Sequence, residues 1–414
     1  MTEPLAAAFA DEWGRVVATL VRVTGDWALA EDAAAEAFAA AAVTWQRDGV
    51  PRSPGAWLTT VARNRALDRL RRAATERSAL ESIAALQETR GSGGEEDAVE
   101  PDDVPDDRLR LVFTCCHPAL PLETRVALTL RTLCGLTVDE IAAAFGVAEP
   151  AMAKRLVRAR QKIQRAHIPY RVPSGAALPE RLAGVLAVLY LLFTEGYAPS
   201  GGDDVVRPSL SGEAIRLTRV LATLMPGEPE VLGLLALEVL QDSRRAARTT
   251  ADGALVPLEE QDRGRWDADR IAEGRRALEA ADRLGGPAGP YLLQARIAAE
   301  HARGDAADKH AILRSYDALV SLTPSPYVAL ARAIAVGAAD GPDAGLGALA
   351  RLRATGALPG NHYLPAAEAD LLRRAGRHGE AAAAYRSALD LVRNGAERDF
   401  LERRLAEVAP GPRP

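Results

Sequence analysis

The chain has 414 residues, 48% of them apolar, which at roughly 150 residues per domain is enough for two or three domains with a core each. Fifty-one basic against 56 acidic residues give a net charge of −5 and a pI near 5.8. That balance excludes a small, uniformly basic nucleic-acid binder as a description of the whole chain. Three cysteines cannot form a disulfide framework, and the longest apolar run, Leu182 to Phe193, is too short to span a bilayer. No basic stretch ahead of an apolar one opens the sequence, so no signal peptide is expected. The expectation is a soluble, reduced, cytoplasmic protein with no membrane association.

Ala- and Leu-rich segments broken by Gly and Pro dominate, and strand formers are sparse, so the sequence predicts an all-α fold. Only Lys154, Lys162 and Lys309 stand among the many arginines; this compositional bias weakens any single arginine as a sign of function. A first helical block covers Leu5 to Leu80. Within it, Trp27 to Ala41 carries an acidic face with Glu31, Asp32 and Glu36. Thr59 to Arg72 follows Trp57 and carries Arg63, Arg65, Arg69, Arg71 and Arg72, with Asp68 its one acid and Asn64 a bidentate amide suited to a base edge. Trp57 reads either as a stacking surface for separated strands or as core.

Gly91 to Gly94 and the eight carboxylates from Glu95 to Asp107 form a segment too polar to pay its ordering entropy by burial, and read as a flexible acidic linker. A second block runs from Arg108 to His167. Leu122 to Leu133 is an amphipathic helix. Thr137 and Glu140 have capping-box spacing before a short helix with Ile141, Ala142 and Phe145, closed by Gly146. Pro150 then suits the first turn of a third helix, Ala151 to Gln164. This is the layout of a helix-turn-helix, whose last helix enters the DNA major groove. An apolar stripe of Met152, Leu156, Ala159 and Ile163 leaves Lys154, Arg155, Arg158, Arg160, Lys162 and Arg165 around the rest. Arg offers guanine a planar fork, and either cation holds phosphate; the alternative is a solvated basic face.

From Pro179 onward a larger helical region carries a repeat. Gly376 to Ala381, Tyr385, Ala388, Leu389 and Leu391 follow the order of a tetratricopeptide (TPR) unit, and comparable positions fall at Leu349, Tyr316 and Ala281, separations of 36, 33 and 35 residues. The domain expectation is therefore 1–90, an acidic linker at 91–107, 108–172, and a TPR-like domain at 179–407.

Three segments in this order resemble an extracytoplasmic-function sigma factor of bacterial RNA polymerase. Ala30 to Phe38 resembles the part of sigma domain two that docks on the polymerase. Val61 to Arg72 resembles the adjoining −10-promoter helix, and Arg155 to Arg160 closing a helix-turn-helix resembles sigma domain four, which reads the −35 element. Leu111 to Leu120, Tyr190 to Tyr197, Glu213 to Leu217 and Glu260 to Trp266 are similar to the subgroup with a long TPR-like C-terminal extension; Thr194, Ala331 and Lys309-His310 depart from its pattern.

The resemblance implies binding of core RNA polymerase through Glu31, Asp32, Glu36 and Phe38. It implies −10 recognition by Trp57, Arg63, Asn64, Arg65, Asp68, Arg69, Arg71 and Arg72, and −35 recognition by Lys154, Arg155, Arg158, Arg160 and Lys162. The linker would thread the polymerase's basic channels, or serve only as a solubilising spacer. The extension would modulate activity through a protein partner or an intramolecular contact. Cys115-Cys116-His117 with Cys134 lacks zinc spacing and reads as buried thiols, and no catalytic constellation or cofactor motif is present, so neither enzyme activity nor a cofactor or metal is expected. A helix-turn-helix regulator acting without polymerase and a TPR scaffold remain as alternatives.

Overall fold

Between its prolines and glycines the chain has the composition of helices that are stabilised mainly by burying one face. A computed structural model describes residues 3–85, 107–145, 147–197, 208–250, 254–392 and 395–408. The described residues are helical apart from connecting turns and one isolated bridge between Thr249 and Leu255. The chain divides into two units, residues 1–188 and 189–414.

The first unit begins with α1 (Glu3–Thr24), α2 (Trp27–Asp48) and α3 (Pro54–Ala85), each packed on the other two. Asp26 starts α2 by accepting the Ala28 and Leu29 N–H groups, and Gly49 at φ 83° ends it. Next come α4 (Asp107–Cys115), α5 (Leu122–Leu133), α6 (Val138–Ala144), α7 (Glu149–Arg165) and α8 (Leu178–Tyr197). Asp107, expected at the end of the linker, is the first residue of α4; residues 91–106 and Gly146 lie outside the described residues.

The two segments expected as separate small domains pack together through α1, which touches α4 and α5 as well as α2 and α3. Two glycines permit the approach. A Cβ on Gly14 would stand 2.9 Å from the Leu133 carbonyl oxygen, and one on Gly135, at φ 74°, would stand 2.6 Å from the Phe9 ring. Beside them the Trp13 indole N–H donates to the Thr132 carbonyl at 3.1 Å. At the far end Arg22 pairs with Asp107 at 2.8 Å, and the Tyr170 hydroxyl reaches the carbonyls of Ala18 and Asp107.

By length and composition one helical stretch, residues 175–197, could cross a membrane, although the uninterrupted apolar run within it is shorter. Leu182, Val185, Leu186, Val188, Leu189, Leu192 and Phe193 along it are buried within the protein.

The second unit continues from α8 through α9 (Pro208–Leu224) into a series of helix pairs: α10 (Pro229–Asp242) with α11 (Ala268–Leu284), α12 (Pro290–His301) with α13 (Lys309–Leu322), α14 (Pro326–Ala339) with α15 (Pro342–Ala354), and α16 (Tyr363–Arg374) with α17 (His378–Leu389). A single α18 (Gly395–Val408) closes it. From α9 onward each helix packs on the next, and α10 also touches α12 and α14 touches α16, as first helices of successive pairs do in a helical-repeat solenoid. The repeat positions expected from the sequence, Ala281, Tyr316, Leu349 and Tyr385, fall on the second helix of each pair.

A second register appears only in the structure: Tyr291, Tyr327 and Tyr363, 36 residues apart, occupy the first turns of α12, α14 and α16. An ion pair recurs with it, Arg296 to Asp282 at 2.7 Å, Arg332 to Asp317 at 2.6 Å, then Glu368 to Arg353 with the signs exchanged. Prolines start α10, α12 and α14. The Glu230 carboxylate accepts the Tyr291 and Leu292 N–H groups at 2.9 and 3.1 Å, so one repeat caps the next.

Close helix crossing sets the tolerance for a side chain at Gly233, whose added Cβ would lie 2.8 Å from the Leu292 backbone, whereas nothing lies within 4 Å of one on Gly379. Gly233→Ala should cost about 1–3 kcal/mol by overpacking, and Gly379→Ala should add about 0.4–1 kcal/mol by restricting the unfolded chain; chemical denaturation of the full chain reads both. His301 supplies a pH test. Burial, reinforced by Arg244 and Arg263, pushes its imidazole from 6.5 down to about 4. The unfolded chain therefore takes up this proton first on acidification, and stability should fall from pH 6.5 toward 4. His301→Gln should flatten that slope in denaturation midpoints measured across the window.

Candidate nucleic-acid interface

α3 buries Leu58, Ala62 and Ala66 and exposes Arg63, Asn64, Asp68, Arg71 and Arg72 along its outer side. Arg65, half-buried, and Arg69, still exposed, reach across to α2. Arg65 donates to Glu36 at 2.8 Å, and Arg69 reaches both Glu36 and Asp32, the latter at 3.3 Å. The Arg65 hydrogen bond, with the charges of Arg69 and Arg65, holds the Glu36 carboxyl below its usual 4.5. Two acids four residues apart thus face two arginines four residues apart, a complementarity visible in the sequence once the helices are paired. Trp57 is half-buried, edge-on to buried Trp45 with ring centroids 5.7 Å apart.

The helix-turn-helix is formed by α5, α6 and α7. Thr137 starts α6 with a reciprocal cap: its hydroxyl accepts the Glu140 N–H at 3.2 Å, and the Glu140 carboxylate accepts the Thr137 N–H at 2.7 Å. α7 buries Met152, Leu156, Ala159 and Ile163. Lys154, Arg158, Lys162 and Arg165 stand in one exposed row with Gln161 beside them, and these four cations make no ion pair among the described residues. Arg158, Gln161, Lys162 and Arg165 line a shallow hollow at the end of the helix. Arg155 is less available: it pairs with Glu123 at 3.2 Å and lies over the Phe145 ring.

Arg160 is turned away from that row. Its guanidinium holds both carboxylate oxygens of Glu31 at 2.8 Å. Glu31 is only 3% exposed and also accepts from Arg131 at 3.0 Å and from the Thr132 hydroxyl at 3.3 Å. One residue expected to meet polymerase and one expected to meet DNA are therefore joined to each other. Phe38 is buried with Phe9 and Trp13, ring centroids 5.0 and 5.9 Å away, whereas Asp32 remains exposed.

Sequence reasoning did not find Arg131, Thr132, Trp13 or Tyr170. No local pattern marks them, because their roles arise only when segments on either side of the linker meet. Cys115, Cys116 and Cys134 are buried free thiols, the first two pushed up by burial. Among the described residues no cluster of three or more His, Cys, Asp or Glu could hold a metal.

Residues 10–76 match the sigma-70 region 2 family, and residues 110–163 match sigma-70 region 4. Residues 181–282 match a family of unknown function. An uncharacterized protein of Rhizobium meliloti (strain 1021) is 41% identical over 403 residues, covering 96% of this chain and 94% of the relative. No solved structure matches.

The reciprocal cap on α6 orients the helix that precedes α7. Thr137→Ala should cost about 1 kcal/mol, read as a lower denaturation midpoint of the full chain.

Proposed function

Because the chain belongs to the extracytoplasmic-function sigma factors with a long C-terminal extension, we propose that it binds core RNA polymerase and directs initiation at promoters chosen through α3 and α7. Sigma factors place and help open promoter DNA while the polymerase performs the chemistry, and no catalytic family is indicated for this chain.

The observation that carries the reading is the pair of exposed basic helix faces within the two sigma regions. On α3, Arg63, Asn64, Arg71 and Arg72 would meet the −10 element, with Asp68 on the same side and half-buried Trp57 at the head of the helix. Arg65 and Arg69 would join them on leaving Glu36 and Asp32. On α7, Lys154 and Arg158 would read bases of the −35 duplex, joined by Arg155 on leaving Glu123, while Lys162, and Arg160 on leaving Glu31, would hold phosphate. Asp32 is the exposed acid of α2 available to polymerase; Glu36 becomes available as Arg65 and Arg69 move, and Phe38 supports that surface from within.

The acidic stretch 95–106 would occupy the polymerase's basic channels and yield to transcript. The helical-repeat unit would modulate this activity through a protein partner. The protein would act in the cytoplasm, where polymerase and promoter are.

Reconstituted transcription tests the assignment. Purified chain with core polymerase should support initiation at a promoter selected from random DNA, and neither component alone should. Arg158→Ala with Lys162→Ala should abolish most of that output and flatten the salt dependence of promoter binding by about 0.9 in log–log slope for each phosphate left without its cation. Promoter-specific DNA binding that is indifferent to core polymerase would overturn the sigma reading in favour of a stand-alone helix-turn-helix regulator.

A further inference from the structure

Within the first unit, we propose that the contact of α1 and α2 with α5 and α7 is an autoinhibitory latch closed by Glu31, and that it must open before promoter DNA is engaged. The inference rests on the sigma reading for its consequence and on geometry for its existence. Promoter elements centred about 25 base pairs apart are separated by roughly 85 Å at ~3.4 Å per pair. In the first unit Glu31 on the helix preceding α3 holds Arg160 of α7 at 2.8 Å. A unit closed in this way cannot lay α3 on one element and α7 on the other. The connecting stretch, residues 86–106, has about 20 residues and a maximum reach of roughly 70 Å. With the dimensions of the two helical regions added, that length is sufficient for separation.

The closing contact has the properties of a switch. Glu31 gives up water for four hydrogen bonds, two from the single Nη2 of Arg160 and one each from Arg131 and Thr132, so losing any of these partners leaves a buried carboxylate less compensated. Both ends of the Glu31–Arg160 pair have alternative partners in the open protein: the carboxylate lies on the helix assigned to polymerase, and the guanidinium on the helix assigned to DNA. A phosphate or a basic polymerase surface can therefore take over what the latch releases. The remaining contacts across the same seam combine apolar packing of α1 on α4 and α5, with the Phe9 and Trp13 rings beside Gly135, and polar links from Trp13 to Thr132, from Arg22 to Asp107 and from the Tyr170 hydroxyl. The exposed row Lys154, Arg158, Lys162 and Arg165 stays available in the closed form, so an initial encounter with DNA is allowed while simultaneous use of both elements is blocked.

The test measures distance in the full chain. Nitroxide labels at Val43→Cys and Leu122→Cys, both exposed positions on either side of the seam, should give one short separation in the otherwise wild-type protein and a long one in its complex with core polymerase. Glu31→Gln, which keeps the side chain's shape, should shift the free chain toward the long separation. Asp139→Asn, which removes the same charge from an exposed site on α6, should leave it short. Arg131 is itself neither an assigned DNA contact nor an assigned polymerase contact, although it holds Glu31, and Arg131→Gln should raise apparent affinity for core polymerase about three- to tenfold, as expected when a larger fraction of the chain is competent to bind.

A short separation retained in the polymerase complex overturns the latch. So does a short separation in Glu31→Gln together with unchanged affinity in Arg131→Gln, both variants retaining wild-type helicity. Failure of the wild-type chain to bind polymerase would instead overturn the sigma reading, while the distances in the free chain still report whether Glu31 closes the seam.

Discussion

A carboxylate leaves water only where other donors replace its hydration, and in the first unit that requirement falls on Glu31. Arg131 at the end of α5, Thr132 next to it and Arg160 on α7 supply those donors, and all three lie across the linker from α2. Because the desolvation cost of such a group rivals its Coulombic gain, the cluster contributes more to position than to stability. It sets where α5 and α7 stand against α2, and the neighbouring contacts agree with that setting. Gly14 and Gly135 have no side chain to obstruct it, and the Trp13 indole reaches the carbonyl of the same Thr132.

The all-α fold, the amphipathic limits of α5, the cap on α6 and the basic character of α3 and α7 were legible because each depends on residues within a few turns of one another. What α3 and α7 do with their charge was only partly legible. Counting arginines on a helix treats each as solvated, yet Arg65 and Arg69 face Glu36 and Asp32, Arg155 faces Glu123, and Arg160 faces Glu31. The first set had a signal, since matched i, i+4 pairs on consecutive helices are a pattern. Glu31 had none, because its partners lie 100 residues or more away. Phe38, an aromatic on an acidic helix, packs in the core formed with Phe9 and Trp13, and no residue near it in sequence marks that placement.

The second unit illustrates a different limit. Its repeat was found from residues on the second helix of each pair, where Ala281, Leu349 and Tyr385 are buried and so restricted in type. The recurrent ion pair on the other register escaped notice because electrostatics conserves the pairing and not the sign: Arg296 and Arg332 are followed by Glu368, with Asp282 and Asp317 replaced by Arg353. Glu230 capping α12 escaped for a similar reason. A carboxylate at the start of one helix can cap that helix or the next, and only the packing of α10 on α12 decides between them.

Shared use of one ion pair, as proposed for Glu31 and Arg160, would have a thermodynamic consequence. If polymerase takes Glu31 and DNA takes Arg160, each breaks the same internal contact, and whichever binds first meets the cost of opening. The second then binds a protein already open. Linkage makes this reciprocal: the factor by which polymerase raises affinity for the promoter equals the factor by which the promoter raises affinity for polymerase. Cooperativity of this kind requires no contact between the two ligands and is bounded by the stability of the closed seam, so strengthening the Glu31 cluster would sharpen the coupling while lowering the affinity of each ligand alone. The net charge of the chain is silent on all of this, because a buried Glu and a surface Glu count equally in the sum and, under the proposed latch, only the first would couple two binding surfaces.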